Sequence, residues 1–69
     1  MTMNDTPHSI IVFDHDGNGV RELFLKTQTK AACVEFAAKL KPEYRMRILG
    51  KRSVMGERQP DSTDISWHA

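Results

Sequence analysis

The segment Asp14-His15-Asp16-Gly17-Asn18-Gly19 is the first place in the chain where residue types and spacing suggest chemistry. Acidic residues at the first and third positions, Asn at the fifth and Gly at the sixth match the opening of an EF-hand calcium loop. The match then fails. The eighth position, usually a branched apolar residue, is Arg21, and the twelfth, where a bidentate Glu closes the site, is Leu25. A β-rich run precedes the loop where a helix is required. The segment reads instead as a hairpin tip, because Gly reaches positive φ cheaply and Asp and Asn bond their own backbone.

The other reactive residues form no set. His8, His15 and His68 do not recur at helical spacing with another ligand, and zinc needs about four converging donors. Cys33 falls on an apolar stripe, where a free thiol behaves as a small hydrophobe. Glycine-rich phosphate loops, nucleophile elbows and carboxylate pairs of catalytic spacing are absent. The expectation is a protein that is not an enzyme and takes no metal or cofactor.

Two features speak for binding. The formal net charge is only +1, but it is unevenly spread. The stretch from Lys39 to Arg58 holds seven basic and two acidic residues, while the rest of the chain is acidic. Within it Arg45, Arg47, Lys51 and Arg52, beside Tyr44, could follow a phosphate backbone. The acidic remainder opposes that use, and the plainer reading is a solvated strand face. The second feature is a pair of aromatic candidates, Phe24 and Trp67. A tail tryptophan either folds back onto the body or anchors a partner.

These residues need elements to hold them. At 69 residues the chain makes a single domain, with a flexible arm over 1–8, a folded core over 9–52 and a polar tail over 53–69. Ile10 to Phe13 is β-branched and aromatic and predicts a strand. The turn segment and Val20 to Lys26 complete a hairpin. Thr27 to Thr29 supplies a helix cap, and Lys30 to Leu40 is alanine-rich with a stripe of Cys33, Phe36, Ala37 and Leu40. Pro42 stops that helix. Tyr44 to Leu49 alternates and predicts a third strand. The tail carries one short extended piece, Asp64 to His68, with Ile65 and Trp67 on one side.

The expected fold is α+β, a ββαβ arrangement with the helix on one face of a small antiparallel sheet and an irregular C-terminal tail. The helix is expected to cover Ile11, Phe13, Leu23, Leu25, Met46 and Ile48, leaving Ile10, Val12, Phe24 and Leu49 on the other face. A chain this short is close to the lower limit of independent stability, so a homodimer over the uncovered face or a strand edge is expected. A lone cysteine, no leader-like start and no long apolar run point to a cytoplasmic protein with no membrane span. The favoured function is a non-enzymatic protein-binding module, an inhibitor or regulator, using Arg45, Arg47, Lys51, Arg52, Phe24 and Trp67. A small nucleic-acid-binding protein using Lys39 to Arg58 is the alternative. In size and plain composition the chain resembles the small accessory proteins of bacteriophages that bind host factors, though no motif carries that likeness.

Overall fold

The computed structural model describes residues 5–14 and 16–68. Its elements are β1 (Pro7–Phe13), β2 (Gly19–Phe24), α1 (Lys30–Lys39), β3 (Arg45–Gly50), β4 (Val54–Arg58) and β5 (Ser66–Trp67). All five strands form one antiparallel sheet in the order β2-β1-β3-β4-β5. The α+β class stands. The three-stranded ββαβ arrangement is corrected: two further strands come from the segment expected to be an irregular tail. Of the expected N-terminal arm, residues 1–4 lie outside the described residues, as do His15 in the hairpin loop and Ala69 at the C-terminus.

Local chemistry explains most of the elements. At the hairpin tip Asp14 Oδ1 accepts from the N–H groups of Asp16 (3.0 Å) and Asn18 (2.9 Å), and Gly17 takes φ +83°. The Asp14 carboxylate thus organises the turn backbone. Thr29 caps α1, its Oγ1 accepting from Ala32 N–H at 3.2 Å. The β3–β4 turn is held from a distance. Asp5 accepts from the N–H groups of Lys51 (2.9 Å) and Arg52 (3.1 Å) and from Ser53 Oγ (3.4 Å). A Cβ at Gly50 would collide with that carboxylate, so a larger residue there would push Asp5 away from the turn.

The register sorts the side chains into rows, because directly opposed residues share a face. Facing α1 are Leu23, Ile10, Ile48, Gly56 and Trp67 in one row, and Arg21, Val12, Met46 and Arg58 in the next. Ile10, Val12, Met46 and Ile48 are buried there with Cys33 and Ala37 of the helix. Leu25, Phe36, Leu40, Tyr44, Met55, Ile65 and Trp67 pack around them. The expected placement of β1 is therefore reversed: Ile10 and Val12 face the helix, and Ile11 and Phe13 face away. β1 lies inside the sheet and is apolar on both sides, so its own alternation carried no phase. Its pairing with Ile48 and Met46 fixes the face instead.

Arg58 lies in this interior and is 1 % exposed. Its Nη1 donates to Ala37 O (2.8 Å) and Leu40 O (3.4 Å), and its Nη2 to Lys41 O (2.7 Å) and Tyr44 O (2.9 Å). A helix end leaves carbonyls without intrahelical partners, and a guanidinium offers a planar fork of donors to meet them. Desolvation lowers the Arg58 pKa, but arginine starts so far above neutrality that it stays charged.

Two predictions follow from these contacts. Arg58→Met should cost about 3 kcal/mol, because Leu40 O and Tyr44 O lose the guanidinium, and Ala37 O and Lys41 O keep only the longer bonds from the N–H groups of Leu40 (3.3 Å) and Tyr44 (3.2 Å). Arg58→Lys should restore only part, since an ammonium lacks the fork. Thermal unfolding followed by circular dichroism measures both; equal stability of Arg58→Met and the wild type would show the fork to be dispensable. Asp5 supplies a pH dependence. Desolvation pushes its pKa up, but the donors of Arg52, Lys51, Thr6 and Ser53 push it further down, below the ordinary 3.8. A depressed carboxylate stabilises the fold above its unfolded pKa and loses that contribution as pH falls through the folded value. Asp5→Ala should therefore destabilise at pH 7 and lose its effect at the acid end, as read from melting temperatures between pH 7 and pH 2.

Candidate interaction surfaces

The helix covers one face of the sheet. On the other face, Phe24, Ser9 and Leu49 form one cross-strand row, Glu22, Ile11, Arg47 and Glu57 a second, and Phe13 with Arg45 a third. Phe13 is the hub of the last. The Arg45 guanidinium carbon sits 4.5 Å from its ring centroid and that of Arg47 5.3 Å. Both distances lie within cation–π range. Arg47 Nε also meets Glu57 Oε1 at 3.1 Å. Arg45 Nε is buried without an acceptor among the described residues. Beside it a cleft of about 190 Å³ opens among Phe13, Asp14, Gly17, Arg45, Gln59 and Pro60.

The six residues proposed from sequence do not form one patch. Arg45 and Arg47 come together on the outer face. Phe24 is on the same face at the sheet edge, 68 % exposed, with its ring edge-on to His8 at 5.6 Å. Lys51 and Arg52 are exposed in the β3–β4 turn, where their backbone is pinned by Asp5. Trp67 stands apart, on the helix side. It packs against the core, and Lys30 Nζ lies 5.0 Å from its ring centroid. Gly56 makes room for it: a Cβ there would lie 3.0 Å from Ser66 O and 3.1 Å from Trp67 Cε3.

The basic segment is also broken up in space. Arg58 is internal, Arg47 is paired, and Glu22 and Glu57 share the outer face with Arg45 and Arg47. Phe13, Glu57 and Asp5 were not among the residues singled out from sequence. Phe13 faces away from the helix, opposite to the expectation, and Glu57 is positioned by a strand within the expected polar tail. Cys33 is fully buried and desolvation raises its thiol pKa, so the thiolate is scarce at neutral pH. Among the described residues no group of three or more His, Cys, Asp or Glu converges on a metal position, and no helix is long and apolar enough to cross a membrane. No protein-family model matches the chain, and none of the curated proteins or solved structures compared with it does either.

The two aromatic candidates should separate cleanly. Gly56→Val should cost about 1–3 kcal/mol by overpacking and shift Trp67 fluorescence to the red as the ring leaves its seat. Phe24→Ala should change stability by about 0.5 kcal/mol or less, as expected for an exposed side chain. A Phe24→Ala loss as large as that of Gly56→Val, measured by urea unfolding, would mean that Phe24 serves the fold.

Proposed function

We propose that this is a small, non-enzymatic protein-binding module, an inhibitor or regulator of a protein partner, working through the sheet face that the helix leaves uncovered. The observation that carries the reading is the composition of that face. Aromatic and arginine side chains, Phe13, Phe24, Arg45 and Arg47, lie among Ile11 and Leu49. Such residues supply most of the binding energy in protein interfaces. The charges of the face balance, with Glu22 and Glu57 set against Arg45 and Arg47. A surface for nucleic acid must instead carry excess positive charge to replace counterions. The partner that fits is apolar at its centre and offers a carboxylate to Arg45, whose guanidinium borders an open cleft. A cytoplasmic setting belongs to the same proposal, supported by the single buried thiol.

The nucleic-acid reading keeps one observation in its favour: bases stack on aromatic rings and arginine planes, and the outer face presents both. Affinity capture from cell lysate, with and without nuclease, separates the two. The expected outcome is a protein partner that survives nuclease. Phe24→Ala should weaken it roughly thirtyfold, the equivalent of about 2 kcal/mol at a hot spot. Arg45→Glu with Arg47→Glu should slow association, with a mild salt effect. Capture that vanishes with nuclease and falls steeply with salt would replace the protein reading with the nucleic-acid one.

A further inference from the structure

The sheet has two edges, and they are unequal. The β5 edge is a two-residue strand. The β2 edge runs over Gly19–Phe24 and carries no further strand among the described residues. Leu25 N–H donates to His8 O at 2.9 Å. Antiparallel ladders alternate, so Leu23 and Arg21 turn their backbone groups toward β1, and Glu22 and Phe24 turn theirs outward. Outward N–H and C=O groups in a row are a template for another strand.

A second observation lies directly beside that edge. Between β2 and α1 is a cleft of about 180 Å³ lined by Val12, Arg21, Phe36, Leu40 and Tyr44. It opens on the helix side of the sheet, where alternate side chains of an added strand would point. Recognition by strand addition uses these two parts: main-chain bonds for affinity, and a pocket for alternate side chains for specificity.

We propose that the β2 edge binds an extended segment of a partner protein as an additional strand, with an aliphatic side chain of that segment seated in the cleft beside Arg21. This rests on the protein-binding reading and names the form of the partner. The cleft is floored by Val12, Phe36 and Leu40 and takes the aliphatic group. On the opposite side the segment meets Glu22 and the exposed Phe24, which favour basic or aromatic residues. The segment therefore alternates aliphatic with basic or aromatic side chains.

A second copy of the chain fits the edge poorly. Two-fold pairing of β2 with itself sets the central residue opposite its own copy. The registers with the longest overlap centre on Arg21 or Glu22, and like charges directly opposed are destabilising. The edge is thus guarded against self-pairing while remaining open to a segment of different sequence.

The test uses terminally blocked peptides alternating leucine with lysine, leucine with glutamate, and leucine with lysine N-methylated at the edge-facing amides. The expected result is binding of the leucine–lysine peptide, with amide exchange at Glu22 and Phe24 slowed at least tenfold. The glutamate peptide should bind at least tenfold more weakly, and the N-methylated one not at all. Glu22→Pro, which removes an outward N–H at an edge where proline is tolerated, should abolish binding with the far-UV spectrum intact. The N-methylated peptide gives the same information should that variant not fold. Leu40→Trp, filling the cleft, should weaken binding severalfold. Equal binding of the N-methylated peptide, or shifts confined to Phe13 and Arg45, would overturn strand addition. So would amides at Glu22 and Phe24 already protected in a dimer without peptide. A captured partner that ignores Glu22→Pro but is lost with Phe24→Ala and the double arginine reversal would overturn it too, leaving the protein-binding reading in place. Loss of protein capture altogether would remove both.

Discussion

The Arg58 guanidinium is the interaction on which the rest of the structure depends. Four carbonyls, from Ala37, Leu40, Lys41 and Tyr44, converge on its two terminal nitrogens. They come from the end of α1, from the linker around Pro42 and from the residue just before β3. Because Arg58 belongs to β4, the fork ties the helix terminus to a strand in the second half of the sheet. α1 touches the sheet through few residues, chiefly Cys33, Ala37 and the partly buried Phe36 and Leu40. A helix so lightly packed needs its end fixed, and the arginine fixes its position while bonding Leu40 O and Tyr44 O. It also adds a shorter bond to Ala37 O and Lys41 O, which accept as well from the N–H groups of Leu40 and Tyr44. Net, such bonds contribute little beyond desolvation; their removal is costly because buried carbonyls cannot be left alone.

A similar economy governs the outer face. Phe13 receives two guanidinium groups, and Arg47 is shared between that ring and Glu57. Exposed charge pairs are individually weak, but both guanidinium groups also lie within cation–π range of the Phe13 ring. These contacts restrain both arginines on the outer face. Pre-ordered arginines lose less side-chain freedom on binding than solvated ones.

The hairpin, the helix with its Thr29 cap and the third strand were legible because each has local chemistry of its own. Gly17 and Asp14 make the turn, Pro42 bounds the helix, and Met46 and Ile48 alternate with arginines. β4 was not legible. Val54-Met55-Gly56-Glu57-Arg58 has a glycine in the middle and an arginine at a core position, and both count against a buried strand. The glycine is there for the Trp67 ring and the arginine for the end of a helix distant in sequence, so only the tertiary context explains either. The phase of β1 was lost for a related reason: a strand apolar on both sides is read by its neighbours. Of the proposed site, the arginines and Phe24 are legible by residue type alone. Trp67 was a candidate of either kind, and it packs against the core.

The position of β1 between β2 and β3 has a kinetic side. One neighbour arrives through a tight turn; the other arrives only after the helix and its linker have been threaded, so the two edges of β1 are closed by loops of very different length. Closing the longer loop costs more chain entropy and comes before most of the burial that rewards it. The rate of folding should accordingly follow the docking of β3 on β1. Stabilising the hairpin alone would do little for speed, because the apolar pairing of Ile10 with Ile48 and Val12 with Met46 is what the chain must wait for.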